Sequence, residues 1–124
     1  MGKWIGLAVG GVAGTFARHV VGAAVHHTFG QGFPYGTLTV NLLGCFIIGM
    51  LAGLSELRWQ LDPNMRLLLV IGFCGAFTTF SSFMLETATL LQAGSIFKAA
   101  LNVVASLLVG FLCFWAGIRL GGSF

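Results

Sequence analysis

Residues 72–86 read GFCGAFTTFSSFMLE. In a chain otherwise apolar enough to dissolve in lipid, this stretch holds two Thr, two Ser, two Gly and a Glu, and sets Phe77, Phe80 and Phe83 three residues apart. GAFTT combines a flexible glycine with two β-branched threonines, a poor helix interior by propensity. It lies at the centre of an apolar segment running from Leu67 to Gln92, long enough to cross a bilayer. Two arrangements are open: a helix interrupted at GAFTT, or an intact one whose Ser and Thr hydroxyls bond back to their own carbonyls. The interrupted helix is the expectation adopted here. Non-helical backbone survives at membrane depth only where protein, water or ions satisfy it. A break would free carbonyls from one half-helix, which suit a small cation, and amides from the next, which favour an anion.

The rest of the chain sets this stretch in a membrane. Of its 124 residues, 57% are hydrophobic and 7% charged, against roughly 25% charged in soluble domains. Four apolar segments fall between the charges, about Trp4 to Val25, Tyr35 to Ser55, Leu67 to Gln92 and Ala99 to Ile118. Each is near the roughly 20 residues that span a hydrocarbon core. Apolar residues run continuously and do not alternate as in a transmembrane β-barrel, so backbone satisfaction in lipid requires helices. The expected fold is an all-α membrane protein, residues 1–124 forming one transmembrane domain with short connections. Lys3 before an apolar run ending GAAVHH has the outline of a cleavable leader, but a retained first span is expected. Gly6 stands where an N-myristoylation signal has Ser or Thr.

Cys45, Cys74 and Cys113 all fall inside spans and form no disulfide or zinc pattern; they read as buried thiols. The formal charge of +3 comes from scattered basic residues without aromatic interleaving, so no nucleic-acid partner is expected. With four spans, Lys3, Arg58, Arg66 and Arg119 share one side and Lys98 stands alone on the other. That bias alone would place the termini in the cytoplasm.

Span 1 carries Gly6, Gly10, Gly14, Arg18 and Gly22 at four-residue spacing, which places them on one helix face for small-residue packing against a neighbour. Arg18 either faces a bundle interior or watery cavity or snorkels to the far interface; in both cases it offers an anion a positive field. His26 and His27 open the turn-rich connection HHTFGQGFPYGT and read as interfacial histidines, since adjacent residues point apart and no third ligand is near. In span 2, Thr37, Asn41 and Gly44 share a face; Asn41 either bonds to another helix or lines a polar path. Asp62 and Pro63 read as N-cap and first helical residue of the third segment. Span 4 places Asn102, Ser106 and Gly110 on one face. Beyond the expected break, Phe80, Phe83 and Glu86 or Thr87 follow one another at helical spacing, while Ser81 and Ser82 turn elsewhere. Phenyl stripes usually contact lipid or core, but their electropositive edges also suit an anion.

The successive signatures Gly10-Gly11 with Gly14 and Arg18, then PYGTLTVNLLGCF, then GFCGAFTTFSSFMLE resemble the Fluc (CrcB) family of fluoride channels. The resemblance covers three spans in order and is loose in span 4. It implies a four-helix subunit that pairs antiparallel with an identical copy in the bacterial cytoplasmic (inner) membrane. It further implies two pores per homodimer, passive exit of fluoride from the cytoplasm, and fluoride resistance. Carried over by motif, Asn41 and the Phe80 and Phe83 rings line the pore, with Ser81, Thr79 and, from span 4, Ser106 as a polar track. A structural sodium ion would be held by the carbonyls of Gly75 and Thr78 from both subunits. Glu86 would lie near the pore path and Arg18 near its vestibule. Antiparallel pairing needs both insertion orientations, against the four-to-one charge bias, and the family's pattern is preferred.

Two other classes share part of this pattern. A small multidrug transporter also has four spans and antiparallel pairing, but needs an acid deep in span 1, and the first acid here is Glu56. In a structural membrane assembly subunit the polar stripes would only pack helices, so Asn41→Ala would change stability alone. An enzyme is not expected, because His19, Glu86 and the serines form no recognisable set of nucleophile, base and orienter.

Overall fold

The computed structural model describes residues 2–57 and 61–124; Arg58, counted above on the terminal side, lies outside them. Helix α1 runs Gly2–Phe29 and α2 runs Tyr35–Leu57. The third apolar segment is a series of pieces: α3 (Pro63–Arg66), a π-helix (Leu67–Cys74), α4 (Gly75–Phe77) and α5 (Phe80–Gln92). Helix α6 runs Ile96–Gly122. Among the described residues four spans, Gly2–Phe29, Tyr35–Ser55, Pro63–Gln92 and Ile96–Gly122, are long and apolar enough to cross a membrane. Only 11% to 22% of the most apolar window of each is buried. Most of their apolar surface therefore points outward, as expected where lipid or another copy is the solvent.

Turn chemistry sets the boundaries. Gly30 (φ 83°) and Gly94 (φ 76°) adopt the left-handed conformation just beyond α1 and α5, the usual place for glycine at a helix C-terminus. Asp62 accepts the Asn64 N–H with Pro63 at the first turn, as the sequence leads one to expect. The third span thus begins at Pro63, one turn before the apolar run at Leu67.

Glycines set how closely the helices approach. A β-carbon on Gly10 or Gly14 would fall on the carbonyls of Leu68 and Phe73, and one on Gly72 would lie 3.0 Å from the Leu7 carbonyl. Here α1 and the π-helix meet backbone to backbone and run in the same direction. Only glycine Cα–H groups fit against those carbonyls, a weak but recurring helix-to-helix contact. The stripe anticipated on span 1 therefore packs as Gly6, Gly10 and Gly14 against the third span, while the Gly22 carbonyl lies under Gly36 of α2. Helices α2 and α6 pair the same way: Gly49 and Gly53 lie on the carbonyls of Phe114 and Ile118, and Gly117 and Gly121 on those of Phe46 and Met50. The π-helix was not foreseen. Its wider turn coincides with the α1 contact, and nothing in the apolar run LLLVIGFC distinguishes it from α-helix by pattern.

Gly49→Val or Gly117→Val is expected to drive a side chain into backbone and lower the unfolding free energy by about 2 kcal/mol or more. Gly11→Ala, with nothing within 4 Å of its β-carbon, is expected to be neutral or slightly stabilising. Thermal unfolding of the detergent-solubilised variants checks both.

Candidate functional site

The helix hydrogen-bond ladder of the third span ends with the Thr78 N–H, which donates to the Cys74 carbonyl at 3.0 Å. Thr78 (φ −84°, ψ 159°) and Thr79 (φ −150°, ψ 115°) are extended, and a new helix starts at Phe80. In a continuous helix the Thr79 N–H would reach the Gly75 carbonyl. Here it donates to Asn41 Oδ1 at 2.8 Å, and Asn41 Nδ2 donates back to the Thr79 carbonyl at 3.0 Å. One amide side chain on α2 thus satisfies both polar groups of one extended residue. Three residues on, the Ser82 N–H, which a helix would give to the Thr78 carbonyl, goes to Thr79 Oγ1 at 3.2 Å. Thr79 is therefore the N-cap of α5, and its hydroxyl donates to Ser82 Oγ at 3.0 Å. Both Gly75 and Thr78 lose their helical donors, and Gly75 lies exposed on the subunit surface.

The two threonines divide the alternatives left open by the sequence. Thr78 Oγ1 bonds back to the Cys74 carbonyl at 3.0 Å, the purely local role, whereas Thr79 caps. Thr37, Asn41 and Gly44 do share one face of α2, and all three meet the third span. Thr37 donates to Glu86 Oε1 at 2.7 Å, Asn41 holds Thr79, and Gly44 leaves room for the Thr78 methyl. Asn41 is hence a helix-to-helix bond, with one of its two amide hydrogens still to place.

Around this junction the remaining candidates separate into two faces of α5. The Phe80 and Phe83 rings lie 5.7 Å apart, tilted by 41°; Phe80 is 74% exposed and Phe83 only 9%. On the Phe83 side Thr87 is buried and receives a hydrogen bond from the buried Asn102 of α6 at 2.9 Å. One turn further along α6, the Ser106 hydroxyl is buried and has no hydrogen-bond partner among the described residues. Ser81 is exposed, its hydroxyl 3.4 Å from that of Thr79.

The other face of α5 lines a cavity of about 670 Å³ between α1, α2 and α5, which reaches from Thr79 and Ser82 past Glu86 to Thr89. Arg18 lies on its wall, which favours the watery-cavity alternative over snorkelling. Glu86 stands one turn beyond Ser82 on this face and not in line with Phe83; its Oε2 is buried and has no hydrogen-bond partner among the described residues. Sequence reasoning missed Ser82 and the cavity positions of His19 and His26. The four-residue step from Ser82 to Glu86 was the available signal, and the Phe spacing drew attention to the opposite face.

These features define a multi-pass, all-helical membrane protein with interrupted backbone and polar side chains held inside the bundle. The profile of the family described as "CrcB-like protein, Camphor Resistance (CrcB)" matches residues 5–118, and the chain belongs to that family. A relative from Maridesulfovibrio salexigens named "Fluoride-specific ion channel FluC" is 42% identical over 98% of this chain and 96% of its own length. Proteins of the same name from Chlorobium phaeobacteroides and Geobacter metallireducens are 49% and 47% identical, covering 90% and 92% of this chain and 86% and 92% of their own lengths.

Asn41→Leu leaves the Thr79 N–H and carbonyl without partners and is expected to cost about 1–3 kcal/mol. Asn41→Asp keeps the acceptor for the N–H and is expected to lose less. Equilibrium unfolding in detergent distinguishes the two.

Proposed function

We propose that this chain is a fluoride-selective channel that lets F⁻ leave the cytoplasm passively and so confers fluoride resistance. The observation that carries the proposal is its identity of 42% to 49%, across nine-tenths or more of its length, to relatives named as fluoride-specific ion channels. The chemistry of the junction agrees. Fluoride is small and strongly hydrated, so a pore must offer donors in place of water while binding weakly enough to release the ion.

The chain's own groups make such a set. The second amide hydrogen of Asn41, the Ser81 hydroxyl and the Ser106 hydroxyl, which has no partner among the described residues, are donors, while the Thr79 hydroxyl gives its hydrogen to Ser82 Oγ and fixes the cap; the edges of Phe80 and Phe83 add weak positive potential without a full charge. Because Asn41 is held by Thr79 at both oxygen and nitrogen, its free hydrogen is fixed in direction. Preorganised donors of this kind need no rearrangement as an ion passes. Arg18, on the cavity wall, would supply the positive field of a vestibule, and Glu86 would stand beside the path.

In this reading two copies pair antiparallel in a bacterial inner membrane, with two pores per dimer and the third span broken at mid-membrane. The exposed Gly75 and the wide outward apolar faces are what such pairing would cover. A sodium ion fits the carbonyls of Gly75 and Thr78, because both have lost their helical donors and are neutral oxygen ligands suited to a hard cation. When bound, it would neutralise the partial negative charge that the break leaves on α4. The multidrug-transporter and assembly-subunit alternatives have no comparable support.

Purified protein in liposomes, followed with ion-selective electrodes, is expected to release fluoride rapidly and chloride slowly, and Phe80→Ile is expected to abolish fluoride release. No fluoride release from folded, dimeric protein would overturn the channel reading. For the antiparallel dimer, cysteines substituted at Lys3 and Lys98 are expected to react with an impermeant reagent at both positions from one side of intact cells. Reaction at only one position would exclude dual topology.

A further inference from the structure

The cavity carries titratable groups that conduction as described above does not use. Helix α1 contributes Arg18, His19 and His26 to its wall, and eight residues from Arg18 to His26 correspond to about 12 Å along the helix. Positive and potentially positive groups therefore extend along about 12 Å of one cavity wall. Facing them, α2 offers the uncharged Thr37, and α5 offers Ser82, Glu86 and Thr89. The charged and titratable groups on the cavity are thus Arg18, His19, His26 and Glu86. Lys98 is not among the lining residues and donates to the Gly32 carbonyl at 3.1 Å. His27, adjacent in sequence to His26, does not line the cavity.

In this set the imidazoles control how positive the cavity becomes. With Glu86 ionised, Arg18 and Glu86 sum to zero, and each protonated imidazole then adds one positive charge. Both histidines stand on the wall of the open cavity, where water that enters it reaches them. Histidine is the side chain whose charge ordinarily changes between about pH 5 and 8. A cleft with low-dielectric walls and one sign of charge concentrates counter-ions and raises their association rate.

We propose that His19 and His26 make this cavity a proton-dependent collecting site for small inorganic anions, which delivers fluoride to the junction faster when the imidazoles are protonated. The inference rests on the channel reading and adds two residues to it.

Single-channel currents of the purified dimer in planar bilayers test it, recorded at fluoride concentrations low enough that ion access limits the current. The wild-type current is expected to be about threefold or more larger near pH 6 than near pH 8. The ratio is expected to fall partway in His19→Gln and in His26→Gln, to fall to about one in the double variant, and to shrink at high ionic strength as the cavity field is screened. His27→Gln is expected to keep both the wild-type ratio and the wild-type current. A wild-type ratio near one with measurable current overturns the proposal and leaves the channel intact. A ratio that survives in the double variant also overturns it and moves the proton to Glu86. Absence of current at both pH values overturns the channel reading, and this inference with it.

Discussion

Two backbone residues that belong to no helix, Thr78 and Thr79, set the terms for the rest of the molecule. In a hydrocarbon solvent an unpaired N–H or carbonyl costs several kcal/mol, with no water to replace the lost partner. The break is therefore only as stable as the side chains that reach it. Asn41 meets both polar groups of Thr79, and Thr79 in turn caps α5 through the Ser82 N–H. For Asn41 to arrive there, α2 must cross the third span at contact distance, and Gly44 provides the room beside Thr78. The site and the fold are consequently one arrangement.

Glycine supplies the remaining closeness. Lipid gives little hydrophobic drive for helices to associate, so packing and weak polar contacts must do it. Gly10 and Gly14 against the π-helix, and Gly49, Gly53, Gly117 and Gly121 between α2 and α6, place carbonyls where any side chain would stand. These two tight pairs leave α5 held more loosely. It contributes one face to the Asn102 contact and another to the open cavity. The cavity of about 670 Å³ beside the break opens along that second face.

The arrangement also explains how acidic and basic groups coexist on membrane-spanning segments. Arg18 and Glu86 line one cavity, and Glu86 is tied to α2 through Thr37. Intramembrane charges are tolerated where they find polar partners, and the wall of this cavity offers Thr15, Thr37, Thr79, Ser82 and Thr89. A passive anion pathway needs a positive approach followed by neutral donors, since a full charge at the narrowest point would hold the ion too firmly. Arg18 stands on the cavity wall, while the residue that holds the junction, Asn41, is a neutral amide.

Much of this was written in the sequence, because water exclusion is a severe constraint. Continuous apolar runs of bilayer length force helices. Four-residue spacing fixes which glycines share a face, and a Thr-Thr pair with a nearby glycine marks where the backbone changes course. The spacing also showed that Thr37, Asn41 and Gly44 act together. What the sequence left open was pairing between helices: whether Asn41 bonded to a helix or lined a path, whether Ser81 or Ser82 joined the cap, and which face of α5 carried Glu86. It gave no sign of the π-helix, and the cavity brings in His19 and His26 from a different helix. Helical periodicity fixes the angle of each side chain about its own axis. The rotation and crossing of one helix on another depend on contacts between residues far apart in the chain, and only the packed glycines and the clamp on Thr79 determined them.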